Sequence, residues 1–313
     1  MTRTIVILNP RSGGGRTGRA WDGIAARLKT AIGAFDVAVT DRPMAAQTLT
    51  SRALGQGYGL VVAVGGDGTV NEVINGFFLG GVPVNREAEL GLLMSGSGGD
   101  FRRTFGIGDG VDDAIARLAS GSMRAIDVGR VSFLTDDGKP ATRHFVNIAS
   151  FGLSGDVVRR VNRARLSKLA GGEFSFFWNS LVGSLAWRNL PVRLKIDGGF
   201  DEVVPVTTVA VANGRYFGGG MRVAPDADPT DGLFDVTVMA GLTRSDFLLR
   251  SGELYSGGHA RDPKVRIIRG RTVIAAPVEE TRRAPVLLET DGEAPGRLPA
   301  TFEILPRMIR LRC

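Results

Sequence analysis

The chain has 313 residues, 43% of them hydrophobic, a net charge of +7 and a sequence pI near 10.1. That length favours two cores over one. The single cysteine, Cys313, rules out an intrachain disulfide and fits a reducing, cytoplasmic setting, and two histidines argue against a multi-histidine metal site or a histidine-centred triad. No run of about 18 apolar residues occurs, so no membrane span is expected, and the short apolar stretch 5–8, closed by Asn9-Pro10, does not read as a signal peptide. The basic charge suits nucleic acid, an anionic membrane or a phosphorylated ligand, or no more than an arginine-rich surface.

Short apolar runs alternate with helical segments through the first third. Strands are predicted at 4–8, 35–40, 60–64 and 90–94, and helices near 18–31, 45–55, 70–78 and 111–119. Such strands, separated by helices, predict a parallel α/β sheet covered on both faces. Ligands of such sheets bind beyond the carboxyl ends of the strands, and three glycine-rich segments fall there. Asn9-Pro10-Arg11-Ser12-Gly13-Gly14-Gly15 follows the first strand; it suits a nucleotide but also describes any flexible loop. It is no P-loop, because no Gly-Lys-Ser/Thr follows.

The second segment, Gly65-Gly66-Asp67-Gly68-Thr69-Val70-Asn71-Glu72, carries more chemistry. Glycines at a strand end let the backbone approach a ligand, and the N–H groups that open a helix attract a phosphate. A carboxylate in such a loop repels phosphate unless a cation lies between them, so Asp67 points to a Mg²⁺-dependent nucleotide site. Thr69 is expected to cap the helix, with Asn71 and Glu72 in its first turn. The third segment, Ser95-Gly96-Ser97-Gly98-Gly99-Asp100, repeats this logic with a hydroxyl and a second aspartate.

From about residue 125 the pattern becomes β-rich. Strands are predicted at 126–133, 144–149, 192–196, 203–211, 234–239, 265–269, 272–276 and 286–289, forming a sandwich or antiparallel sheet. A helical insertion, 157–184, interrupts it. Its first part is basic (Arg159, Arg160, Arg163, Arg165, Lys168), its second aromatic (Phe174, Phe176, Phe177, Trp178). It reads either as a face that docks on anionic membrane and, with Leu181 and Trp187, lines an acyl pocket, or as a core helix pair with a solvated arginine face. Near the end, Asp291-Gly292-Glu293 sets two carboxylates around a glycine. The glycine permits a bend that turns both toward a cleft, while Asp-Gly is also a strong hairpin signal. No aromatic-studded basic motif of a nucleic-acid module is present, so no nucleic-acid partner is expected.

Taken in order, Asn9-Pro10-x-Ser12-Gly13, Gly65-Gly66-Asp67-Gly68-Thr69-x-Asn71-Glu72 and Gly96-Ser97-x-x-Asp100-Phe101 resemble the signature of the diacylglycerol kinase catalytic-domain family. The likeness continues through Asn147-Ile148-Ala149-Ser150-Phe151-Gly152, Ala224-Pro225, Asp231-Gly232-Leu233-Phe234-Asp235 and Asp291-Gly292-Glu293. The resemblance implies an N-terminal α/β domain related to NAD kinase and phosphofructokinase (1–125), then a C-terminal β-sandwich domain (126–299). A terminal segment, 300–313, is implied to return to the first domain. It also implies an ATP- and Mg²⁺-dependent lipid kinase, with ATP held between the domains. The γ-phosphoryl group would pass to a primary hydroxyl of diacylglycerol, ceramide or a related lipid.

By position, the resemblance places Asn9, Ser12, Gly13 and Thr40 at the nucleotide, and Gly65, Gly66, Asp67, Gly68, Thr69, Asn71, Glu72 and Ser97 around its phosphates. Asp67 and Asp100 fall to the Mg²⁺ network. The general base is placed at Asp291 or Glu293, the choice staying open. A structural metal falls to Asp231, with main-chain oxygens near Asp228 and Leu233. Gly99 stands where many members have Asn; with Asp-Phe-Arg-Arg following, the loop resembles bacterial members that include ceramide kinases. A membrane lipid as partner, peripheral contact with an anionic membrane from the cytoplasm, and an open question of homodimerisation complete the expectation. Two alternatives stand beside it: an NAD kinase-like enzyme acting on a soluble substrate, and a non-catalytic lipid- or nucleotide-binding protein on the same scaffold.

Overall fold

The first strand, β1 (Thr4–Leu8), has the sequence TIVIL, and all five residues are buried. A strand apolar on both faces needs cover on both, and the following elements supply it: α1 (Arg16–Ile32), β2 (Asp36–Val39), α2 (Ala45–Gly55), β3 (Leu60–Gly65) and α3 (Asp67–Gly76). A small hairpin, β4 (Phe78–Leu79) with β5 (Val82–Pro83), leads to β6 (Glu89–Met94), α4 (Asp100–Thr104) and α5 (Val111–Ser120). The computed structural model describes residues 2–94, 99–166, 187–243, 245–246, 252–278 and 285–313, the side chains of 163–166 excepted.

The strands pair in parallel in the order β6-β3-β1-β2. On one face Val6, Leu8, Val62, Val64 and Leu93 form a core with Ile24 and Leu28 of α1 and Ala114, Ile115 and Leu118 of α5. On the alternate face Ile5, Ile7, Val61 and Ala63 are also buried, and α2 and α3 pack against β1 and β3. Each fully buried Val, Leu or Ile stabilises the fold by about 1.5–3 kcal/mol relative to exposure. β2 is the edge, and Val37 and Val39 there remain exposed. The sheet brings Asn9, Thr40 and Gly65 to the same strand ends.

Two compact units emerge: Met1–Val128 with Pro306–Cys313, and Gly129–Leu305. Boundaries at 128 and 306, rather than 125 and 300, follow from strand length, since β7 (Met123–Leu134) and the final strand each run through one without a break.

The second unit is antiparallel. Its elements are β7, β8 (Pro140–Phe145), β9 (Ile148–Gly152), α6 (Leu153–Leu166), β10 (Leu190–Ile196), β11 (Phe200–Ala212) and β12 (Phe234–Ala240). They are followed by β13 (Val265–Gly270), β14 (Thr272–Pro277), β15 (Leu287–Thr290) and β16 (Glu293–Arg312). Strands pair in the order β13-β12-β11-β10-β14-β16, while β9 pairs with both β11 and β15. Inward-facing Val192, Leu194, Val209, Val211, Phe234 and Val236 pack with Phe145, Phe151 and Phe302.

The predicted strand 144–149 is in fact two, β8 and β9. The chain breaks at Val146-Asn147, where the backbone N–H groups turn to a side chain instead of a neighbouring strand. Of the predicted insertion 157–184, its start belongs to α6; the rest, from Lys168 through the aromatic cluster, lies outside the described residues. α6 lies close to β15: a Cβ at Gly155 would stand 2.3 Å from the Leu287 carbonyl oxygen, so only glycine permits this approach.

Candidate active site

In the first unit, two side-chain contacts tie three strand ends together. Asn9 follows β1; its Nδ2 donates to Thr69 Oγ1 at 3.0 Å, and its backbone N–H donates to Val64 O at 2.9 Å. Asp67 Oδ2 accepts the Gly99 N–H at 2.6 Å, joining the loop after β3 to the loop after β6. Thr40, buried at the end of β2, donates its N–H to Leu8 O. Ser12 Oγ donates to Asn9 O at 3.0 Å and lies 2.5 Å from Thr17 Oγ1, so the loop that carries Gly13 is closed on itself.

The helix after β3 begins at Asp67, earlier than position 70. Thr69 is therefore inside its first turn and is not the cap. Gly66 takes the cap position and brings no side chain of its own to this end. The opening of α3 thus combines a glycine cap, a carboxylate in the first turn and the Thr69 hydroxyl. A Cβ at Gly65 would stand 2.4 Å from Thr69 Oγ1, which shows how closely the strand end and the helix approach. N–H groups at such an end favour an anion. Asn71 and Glu72 lie one step further along and serve packing. Asn75 Nδ2 donates to Asn71 Oδ1 and O, and Glu72 Oε2 accepts the Ala46 N–H, capping α2. Asp100 opens α4 and pairs with Arg103.

In the second unit, Asp291 and Gly292 form the two-residue loop between β15 and β16, with Thr290 opposite Glu293. Both loop residues have positive φ, 46° and 86°, as a type I′ turn requires. The Asp291 carboxylate accepts three backbone N–H groups: Val146 on Oδ2 at 3.0 Å, and Asn147 and Ile148 on Oδ1 at 3.1 and 3.0 Å. Asn147 Nδ2 in turn donates to Tyr216 O at 2.6 Å. Glu293 is exposed. The two carboxylates therefore differ in setting: one is held by backbone, the other faces solvent.

Sequence reasoning missed the residues that hold this turn. Asn162 Nδ2 donates to Gly292 O at 3.2 Å, and Glu289 Oε2 accepts Gly292 N–H at 3.0 Å. For Glu289 a signal existed: a charged residue in the apolar run Val286-Leu287-Leu288. Burial pushes its carboxyl up to about 8, and Asp291 and Glu293 add to this, while bonds from Ser150 and Gly292 draw it down. The folded value lies above the ordinary 4.5, so the stability it confers is fully present below about pH 4.5 and is lost as pH rises through about 8. Glu289→Gln does not titrate, so its urea midpoint, relative to wild type, is expected to rise steadily across that window. A constant difference would show that the acid is not held neutral.

Comparison with known proteins identifies the scaffold. The family model of the diacylglycerol kinase catalytic domain matches residues 3–131, and that of the YegS C-terminal NAD kinase beta sandwich-like domain matches residues 147–313, more than half of the chain. The chain belongs to the diacylglycerol kinase catalytic-domain family. That is a family of lipid kinases, enzymes that draw phosphate from ATP. Among its relatives, a diacylglycerol kinase of Mycobacterium tuberculosis is 28% identical over 311 residues, covering 99% of this chain and 94% of that one. Two solved structures share the fold. One, from Bacillus anthracis strain Sterne and solved as a candidate diacylglycerol kinase, has a TM-score of 0.76 at 21% identity, covering 99% of this chain and 94% of that one. The other, yeast NADH kinase, has a TM-score of 0.51 at 12% identity, covering 99% and 82%. The expected architecture, an NAD kinase-like α/β domain followed by a β-sandwich, is therefore correct.

Within this kinase scaffold, Gly99 adopts φ of +81°, and a Cβ there would stand 2.4 Å from Arg102 Nε, so an Asn at this position would have to displace the Arg102 side chain. At the structural metal site implied at Asp228, Asp231 and Leu233, both carboxylates are engaged within the chain. Asp231 Oδ1 accepts the Leu233 N–H at 2.9 Å, its Oδ2 pairs with Arg269, and Asp228 Oδ1 accepts from Thr230 N and Oγ1. No group of three or more metal-ligating side chains occurs among the described residues. Nearby, burial raises the Asp235 carboxyl, Arg269 lowers it, and Asp231, Asp226 and Asp228 raise it further. Ser97 lies outside the described residues, as do the side chains of Arg163 and Arg165. Among the described residues, no helix is long and apolar enough to cross a membrane.

Proposed function

We propose that this kinase transfers the γ-phosphoryl group of Mg²⁺-ATP to a primary hydroxyl of diacylglycerol, ceramide or a closely related lipid. The observation that carries the reading is Asp67: a carboxylate in the first turn of a helix that opens on glycine, tied through the Gly99 N–H to the start of the helix that Asp100 opens. Phosphoryl transfer is chiefly positioning and charge neutralisation. In this reading Asn9 fixes the Thr69 hydroxyl, the opening turn of α3 receives the phosphates, and Asp67 and Asp100 would hold Mg²⁺, which neutralises phosphate charge when bound. The Asp291–Glu293 turn supplies the group that accepts the hydroxyl proton. The relatives' names support the lipid acceptor. The test is a panel of diacylglycerols, ceramides and soluble acceptors, including NADH, incubated with Mg²⁺-ATP and read by mass spectrometry. Product on a lipid is expected; product on soluble acceptors alone refutes the reading.

A lipid acceptor calls for peripheral membrane contact, and the basic stretch that begins at Arg159 is the proposed contact. Arg159 pairs with Asp136 and Arg160 with Asp156, so the stretch is partly neutralised within the unit. Sedimentation with anionic liposomes is expected to pellet the wild type and to leave an Arg159/Arg160/Arg163/Arg165 charge-reversal variant in solution. Equal pelleting of the two removes the stretch from the docking role.

A further inference from the structure

β15 carries Glu289 to the base of the turn, two residues before Asp291 and four before Glu293. Only 2% of it is exposed. Its Oε1 lies 2.7 Å from Ser150 Oγ, and its Oε2 accepts the Gly292 N–H. Ser150, fully buried on β9, lies 2.7 Å from Ser154 Oγ in the first turn of α6. Ser150 has one proton for two short contacts, so Glu289, Ser150 and Ser154 form a single directed chain across three elements. The turn itself does not need this chain, since Asp-Gly adopts the type I′ geometry unaided. A buried acid is also costlier than an apolar residue of the same volume.

We propose that Glu289 is a positioning residue for phosphoryl transfer: by holding the Gly292 N–H it fixes the direction in which the turn presents Asp291 and Glu293. The assignment rests on the lipid-kinase reading above. Burial favours the neutral acid, whose O–H can donate to Ser150 while Ser150 donates to Ser154 and the other oxygen accepts from Gly292. It thereby holds the turn without placing a third negative charge beside two carboxylates. The charged groups of α6 whose side chains are described are Asp156, Arg159 and Arg160; Arg160 is exposed and pairs with Asp156, and Arg159 pairs with Asp136.

Glu289→Gln reproduces the neutral pattern, its carbonyl accepting from Gly292 and its amide donating to Ser150. Its kcat at neutral pH is expected within about twofold of wild type, without the wild-type loss of turnover above about pH 8. Glu289→Leu fills the same space and removes both bonds. It is expected to lower kcat by about 10- to 100-fold, as small misplacements do, with KM for ATP unchanged and faster amide hydrogen exchange across 289–293. Undiminished kcat with unchanged exchange in Glu289→Leu overturns the proposal. So does a Glu289→Gln variant as impaired as Glu289→Leu, which would make the ionisable acid itself the active group. Should Glu289→Leu not fold, Ser150→Ala takes its place, with a severalfold loss of kcat upholding the proposal and none overturning it. Absence of wild-type turnover on every acceptor refutes the lipid-kinase reading instead. Exchange then decides alone: faster in Glu289→Leu and unchanged in Glu289→Gln upholds the hold on the turn, and equal exchange in both overturns it.

Discussion

Asp67→Asn is expected to lower kcat by about two to three orders of magnitude, the usual consequence of removing a preorganised electrostatic contact at a reacting centre. The substitution separates two roles. Asn keeps an oxygen able to accept the Gly99 N–H, so the tie between the loops after β3 and β6 survives. What it loses is the charge that would hold Mg²⁺ against phosphate. Asp67→Ala removes both and is expected to be at least as impaired, with a lower thermal midpoint. If Asp67→Asn turns over at a near-normal rate, the carboxylate serves only as a loop tie and leaves the mechanism.

The second large effect divides the carboxylates of the turn. Asp291→Ala leaves the N–H groups of Val146, Asn147 and Ile148 without their shared acceptor. Each buried donor so stranded costs about 1–3 kcal/mol, so the loss is on the order of 3 kcal/mol or more and the melting temperature falls by roughly 6–12 °C for a unit of this size. Turnover is expected to fall with it. Glu293→Ala touches an exposed side chain, so its melting temperature is expected to match wild type. Loss of a general base costs about 10²- to 10⁴-fold in rate. A drop of that size in Glu293→Ala, measured by single-turnover phosphorylation on a well-folded protein, places the proton acceptor at Glu293. Wild-type rates there return the role to Asp291.

Much of the first unit was legible because its strands are apolar on both faces and its helices are periodic; β1 and α2 have the limits the pattern predicts. The start of α3 was misread because Asp67-Gly68 lowers helix propensity, yet a helix N-terminus tolerates both. In the second unit, His144 to Ala149 reads as one strand by composition. Only a carboxylate 140-odd residues away, at Asp291, explains the break. Glu72 looked like part of the phosphate loop by position, but helical geometry turns it toward the start of α2. Glu289 carried a visible anomaly, a charge within an apolar run, whereas Asn162 is an ordinary helix residue and nothing near it in sequence marks its bond to Gly292.

The returning segment Pro306–Cys313 bears on how the protein is made. Ile309 and Leu311 are almost fully buried, and Arg310 and Leu311 pair in parallel with Glu89 and Leu90 of β6. On the ribosome, β6 therefore emerges early and waits without its outer neighbour until the whole of Gly129–Leu305 has followed it. All of Gly129–Leu305 leaves the exit tunnel before that strand arrives. One strand, β16, thus closes the β-rich unit with its first half and the sheet edge of the nucleotide unit with its end, so the unit that appears first in the chain cannot finish before the second.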